Sequence, residues 1–252
     1  MKSQSKLDLE YAETMENHPF GIALYRPPST SEVRPGIVGY FDEFGSWNTI
    51  ADLADLDGLQ QKGLSLPEEL VKAPADNGIK WGPKVSSNTK ATKIDLSAGV
   101  YVVLLFRIPV TASAVYSYQV DQDVGAILLT SAPVTHERYY YATPFKNWLA
   151  QNATVLLTRW RDEVKENGIW IITSTFSTKK CAINMWTKRG RGIKVGFSAD
   201  VMGAGNIGPG VDWYRSHTDE GWGEYSAEGD TQYVVFFGGL KFRFNQGFRK
   251  VR

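Results

Sequence analysis

The chain has 252 residues, with 28 Lys and Arg against 27 Asp and Glu and a formal net charge of +1. With 42% hydrophobic and 13% aromatic residues it has the composition of a folding chain, and the near-zero charge argues against a dedicated nucleic-acid binder. Cys181 is the only cysteine, which excludes an intrachain disulfide and Cys-rich zinc sites, and the longest apolar run, 100–106, falls far short of the roughly 20 residues of a membrane helix.

The segment 7–17 is acidic and weakly amphipathic. It reads as a short helix rather than a signal peptide, which predicts a cytosolic start. Strands are expected at 21–26, stopped by Pro27-Pro28, and at 36–41, followed by a turn at Asp42-Glu43-Phe44-Gly45. Asn48 is placed to cap a short helix carrying Ile50, Leu53 and Ala54, broken by Gly58 and Gly63. Ser65, Pro67, Glu68 and Glu69 make a second helix start, and 73–82 reads as loop. The clearest helix begins with Thr143 as cap and Pro144 in the first turn. Phe145, Trp148, Leu149, Leu156, Trp160 and Val164 share its face, and Asn167-Gly168 ends it. The last third is β-rich, and 233–244 reads as its final strand pair or a bulged strand, with the bulge or bend at Gly238-Gly239. One α+β domain over 1–252 accounts for the whole chain.

Between 94 and 120 every even position is apolar or aromatic: Ile94, Leu96, Ala98, Val100, Val102, Leu104, Phe106, Ile108, Val110, Ala112, Ala114, Tyr116, Tyr118 and Val120. The odd positions are mostly polar, which makes a period-2 pattern of unusual length. As one strand it would extend about 90 Å, so in a compact molecule it must fold back. A second alternation runs through Cys181, Ile183 and Met185, then Ile193, Val195, Phe197 and Val201. Thr187-Lys188-Arg189-Gly190-Arg191-Gly192 lies between the two arms and reads as the basic tip of a β-hairpin. Half-buried soluble sheets alternate in this way. So do the lipid-facing walls of membrane barrels, whose strands need about 9–11 such residues.

The run Gly168-Ile169-Trp170-Ile171-Ile172-Thr173-Ser174-Thr175-Phe176-Ser177-Thr178-Lys179-Lys180 resembles a strand of gasdermin pore-forming domains. The segment Gly229-Asp230-Thr231-Gln232-Tyr233-Val234-Val235-Phe236-Phe237-Gly238-Gly239-Leu240-Lys241-Phe242 resembles that family's closing strand. The segments 94–120 and 181–201 fall where the family keeps its two membrane hairpins. The chain is most similar to the short fungal gasdermin-like regulators of cell death and heterokaryon incompatibility, and the resemblance covers roughly 85–245.

This resemblance implies a gasdermin N-terminal-domain-like fold: a twisted antiparallel sheet with flanking helices and two extendable β-hairpins. It implies a protein that is cytoplasmic when soluble and moves to the plasma membrane when activated. There it would oligomerise, with itself or with a related variant subunit, and insert both hairpins into a lytic barrel. The first lipid face would be Ile94, Leu96, Val100, Val102, Leu104, Phe106, Ile108, Val110, Tyr116 and Tyr118. The second would be Cys181, Ile183, Met185, Ile193, Val195, Phe197 and Val201. Anionic phospholipid would be gathered by Lys179, Lys180, Lys188, Arg189, Arg191, Lys194, Arg243, Arg249 and Lys250. The family's first helix is often basic, whereas 7–17 is acidic. With the closing strand near Arg252, no C-terminal repressor domain is expected, and a partner or variant subunit replaces proteolysis as the trigger.

No enzyme, metal or cofactor is expected. His18, His136 and His217 stand in no nucleophile motif. Gly203-Ala204-Gly205-Asn206-Ile207-Gly208 matches a dinucleotide fingerprint but runs into Pro209-Gly210 where a helix should open. Asp212, Asp219, Glu220, Glu224, Glu228 and Asp230 fit no EF-hand spacing, and the sequon at Asn152 lies on a predicted helix. The alternative reading is a non-enzymatic, lectin-like β-sandwich that binds carbohydrate through Trp213, Tyr214, Trp222 and Tyr225. A third is another class of β-pore former.

Overall fold

The computed structural model of the protein describes residues 4–94, 112–121, 124–131, 133–187, 192–198, 213–215 and 221–243. Over these residues the fold is α+β, and each pair of neighbouring strands is antiparallel. No helix among them is long and apolar enough to cross a membrane.

The segment expected as a short acidic helix forms α1, Gln4–Thr14. After β1, Ile22–Ala23, the hairpin of β2, Ile37–Phe41, and β3, Trp47–Asp52, replaces the helix expected after Asn48. The reason is local. Asp42 Oδ1 accepts hydrogen bonds from the Phe44 and Ser46 amides, and Asn48 Nδ2 donates to Asp42 Oδ2 at 3.0 Å, so the Asn48 side chain closes the turn. The helix comes later, as α2, Leu56–Gln61, capped by Asp55 Oδ1 accepting from the Gly58 amide. No helix starts at 65–69. That segment is a strap over the long helix: Trp148 Nε1 donates to Ser65 O, the Ser65 amide donates to Asn152 Oδ1, and Asn147 donates to Glu68. The 73–82 loop contains β4, Asp76–Ile79.

The long helix is α3, Thr143–Arg159, one residue off the expected cap and broken at Trp160. The chain continues as α4, Arg161–Asn167, and ends at Gly168 with φ +76°. Phe145, Trp148, Leu149, Leu156 and Val164 share a core with Val38, Ile50, Leu53, Ile169 and Ile171, so both helices cover one face of the main sheet. That sheet runs β1, β15 (Tyr233–Phe242), β10 (Ile169–Thr178), β2, β3, with β9, Val134–Arg138, and β4 on the far half of β10. A register shift between Ile172 and Ser174 leaves Thr173 as the extra residue opposite Gly238 and Gly239. A Cβ on Gly239 would come 2.5 Å from Ile171 O, which is why glycine stands at the bend.

At Lys179 the chain leaves this sheet and becomes β11, Lys180–Thr187. Two four-stranded sheets complete the molecule. One is β14 (Gly223–Ser226), β11, β8 (Val124–Thr130) and β5 (Lys84–Val85). The other is β13 (Trp213–Arg215), β12 (Ile193–Phe197), β7 (Ala114–Val120) and β6 (Thr89–Ile94). Ile127, Leu129, Ala182 and Trp186 from the first share a core with Tyr116, Tyr118, Ile193, Val195 and Phe197 from the second, so the two sheets face each other.

Candidate functional site: the two alternating segments and their covers

The described ends of 94–120, Ile94 and 112–120, lie on neighbouring strands. β6 and β7 pair from Thr89 with Val120 to Ile94 with Val115. Leu96, Val100, Val102, Leu104, Phe106, Ile108 and Val110, which the sequence assigns to the first lipid face, lie outside the described residues. So do Val201, Lys188, Arg189, Arg191, Arg249, Lys250, the 203–208 loop, Asp212, Asp219 and Glu220.

The even series does not keep to one side. Ala114, Tyr116 and Tyr118 point into the core between the two small sheets. Ile94 pairs with odd-numbered Val115, and these two share a separate cluster with Ala112 and Tyr214. Directly opposed residues share a face and successive residues alternate, so the pattern changes sides at Ser113. Ser113 is held there by β12: its amide donates to Phe197 O and its hydroxyl to Ser198 O, both at 2.7 Å. Ile94 and Ala112 thus lie on one face and Tyr116 and Tyr118 on the other.

Among the described residues of 181–201, β11 and β12 do not pair with each other as the arms of a hairpin. β11 pairs with β8, from Cys181 with Thr130 to Thr187 with Val124, while β12 pairs with β7, from Ile193 with Tyr118 to Phe197 with Ala114. The expected alternation holds within each strand, but the two odd series face different cores. Ile193, Val195 and Phe197 join the core between the small sheets. Cys181 and Ile183, with Met185 at the margin, face α1 and meet Tyr11, Met15, Ala126, Leu128, Trp81 and Phe236. Burial pushes the Cys181 thiol up to about 12.

The basic residues are dispersed. Lys179 and Lys180 are exposed at the corner between sheets, where Lys180 Nζ lies 4.7 Å from the Trp213 ring. Thr187, at the far end of β11, lies roughly 23 Å from Lys180 at about 3.3 Å per residue. Lys194 pairs with Ser117 on the outer face of β12, and Arg243 is exposed past β15. The aromatics considered for carbohydrate also fail to make one platform. Trp213 and Trp222 pack on the core between the small sheets, Tyr214 on the Ile94 cluster, and Tyr225 on the α1 side. Among the described residues, no group of three His, Cys, Asp or Glu side chains is placed to hold a metal ion.

Sequence reasoning missed what joins these sheets to the main one. Phe20, Trp81, Phe176 and Phe236 form a box of rings with centroids 4.4 to 5.8 Å apart. His136 stacks on Phe176 at 4.0 Å, and His18 stacks on Phe20 while its Nε2 donates to Val85 O at 3.0 Å. Lys84 Nζ lies 5.4 Å from the Phe20 ring and 5.2 Å from Trp81. Desolvation lowers all three groups. Lys84 adds to the effect at His18; Arg138 adds to it at His136, against Asp76. The i, i+4 spacing of Tyr11 and Met15 was the one sequence signal that α1 has a buried side.

No family model matches the chain, and no curated protein matches it by sequence. Among solved structures it is similar to a bacterial gasdermin from Bradyrhizobium tropiciagri, at 11% identity and a TM-score of 0.30, over 85% of this chain and 79% of that one.

Proposed function

We propose that this chain is a non-enzymatic, gasdermin-like pore-forming protein. It is cytoplasmic until activated, then oligomerises on anionic phospholipid at the plasma membrane and extends 94–120 and 181–201 into a transmembrane β-barrel. The parity of 94–120 carries the reading. Twenty residues separate Ile94 from Val115, the last pair of β6 and β7, and supply two arms of about 10 residues. A tilted transmembrane strand needs about 9–11. The even series up to Ala112 is the lipid side, and Ser97 and Thr111 are the water side. β11 and β12 must exchange partners to form the second hairpin, which a neighbouring subunit's strands make possible. Backbone groups in lipid are satisfied only when the barrel closes, so a lone subunit does not insert. A second copy or a variant subunit is the trigger.

Dye-filled anionic liposomes test this. The protein, with its variant partner where one is required, releases dye, and Val102→Asp with Leu104→Asp stops the release while the circular dichroism stays native. Undiminished release from that variant would sink the assignment of 94–120. Counting subunits in membrane rings by electron microscopy separates this class from other β-pore formers.

A further inference from the structure

We infer that α1 is a removable cover over the apolar face of β8 and β11, clipped in place by Asp8 and Arg26, and that it leaves before β11 can change partners. The departure before β11 changes partners rests on the pore-forming reading above; the clipped cover itself does not.

The cover is narrow. Tyr11 of α1 and Met15 just past its end are fully buried in one cluster with Cys181, Ile183, Ala126 and Leu128, while Leu9 of α1 stays 64% exposed. Two of the covered residues, Cys181 and Ile183, belong to the series assigned to lipid. Nothing of β11 can reach a membrane on that side while α1 is seated.

The seat is also weakly held. The Tyr11 hydroxyl is buried with no hydrogen-bond partner among the described residues, so docking the helix strands a polar group. The clip is one ion pair. Arg26 Nε donates to Asp8 Oδ1 at 3.2 Å and Nη2 to Oδ2 at 2.6 Å, while Nη2 also reaches Phe44 O in the β2–β3 turn. Desolvation keeps the Asp8 carboxyl above its usual range even with Arg26 beside it. A Cβ on Gly45 would come 2.1 Å from Asp8 Oδ2, so the turn that receives the clip needs glycine, at φ +74°. A helix held by the buried Tyr11, by Met15 just past its end and by one partly buried ion pair belongs to the low-stability end of a fold, where local opening precedes global unfolding.

Cys181 reports the opening, because it is the only cysteine and is buried in the same cluster as Tyr11 and Met15. The full-length protein is treated with a maleimide in the absence of membrane, and labelling of Cys181 is timed. Arg26→Ala is expected to label about tenfold faster, the size of one charge-assisted hydrogen-bonded contact. The exchange of Asp8→Arg with Arg26→Asp is expected to return the rate towards wild type. Tyr11→Phe, which removes the stranded hydroxyl, is expected to slow it. An unchanged rate in Arg26→Ala overturns the cover. So does faster labelling that comes with loss of the cooperative thermal transition and is not rescued by the exchange. Dye release from anionic liposomes is measured on the same variants. Faster labelling and rescue without any release supports the cover and refutes the pore-forming reading.

Discussion

Tyr118 offers the sharpest test of how the alternating segments are held. It stands on β7 between Ala91 of β6 and Ile193 of β12, with 1% of its surface exposed and a hydroxyl that finds no hydrogen-bond partner among the described residues. Burial pushes the phenol well above its usual range, and Tyr116 adds to the rise. A buried polar group left unsatisfied costs about 1–3 kcal/mol. Tyr118→Phe keeps the ring and its contacts and deletes that cost, so a gain of about 1–2 kcal/mol is expected. For a chain of this size that is a rise in Tm of roughly 3–6 °C, read by scanning calorimetry or urea titration. Tyr118→Ala must move the other way, by about 3–5 kcal/mol, because it empties the centre of the core. If insertion requires β7 to leave this core, Tyr118→Phe also slows dye release by a factor of roughly 5–30. A lower Tm for Tyr118→Phe refutes the account of the hydroxyl. A higher Tm with unchanged release shows that β7 stays in place through the rate-limiting step.

Acid should loosen the aromatic box. His18 and His136 are both lowered from 6.5 by burial, so the folded state prefers them neutral and the unfolded state binds more protons. Their contribution is complete above about pH 6.5 and is lost as the pH falls below it. Tm should therefore drop between pH 7.5 and 5.5, and less so in His136→Phe. Asn152→Ala should cost about 1–3 kcal/mol in urea titration, since it orphans the Ser65 amide beneath the strap. Gly239→Ala should cost more than about 2 kcal/mol through its close approach to Ile171 O, measured by Tm.

Local signals were legible where one short-range rule decides. Pro144 and Gly168 punctuate the α3–α4 helical stretch, and the run from Ile169 to Ile172 makes a central strand whose neighbours are apolar on both faces. Asn48, Ile50 and Leu53 were ambiguous, because a three-residue spacing suits a helix and also a bulged strand. The irregularity between Val38 and Gly39 leaves Ile50 as an extra residue in β3, with Leu53 just past the strand's end. Alternation separated the two sides of β7, β11 and β12 but said nothing about partners, nor that β11 is buried on both sides. The pairing of β11 with β8 and of β12 with β7 spans more than 50 residues in each case. The change of sides at Ser113 depends on two carbonyls of β12 and leaves no trace in the pattern. The aromatic box was invisible for the same reason: its rings come from positions 20, 81, 176 and 236.

The connections at 121–123 and 188–192 each carry the chain from one small sheet to the other. The two alternating segments therefore meet along one ladder, β7 on β12, while β11 pairs with β8, the strand that follows β7. Withdrawing either segment strips the backbone of its counterpart. In the extension proposed above, the two segments form a single thermodynamic unit, and a subunit with one hairpin out and one at rest has unpaired backbone on both sides. Such a molecule behaves as a switch with two positions, and substitutions in 181–197 should change the energetics of 94–120 as strongly as substitutions within it.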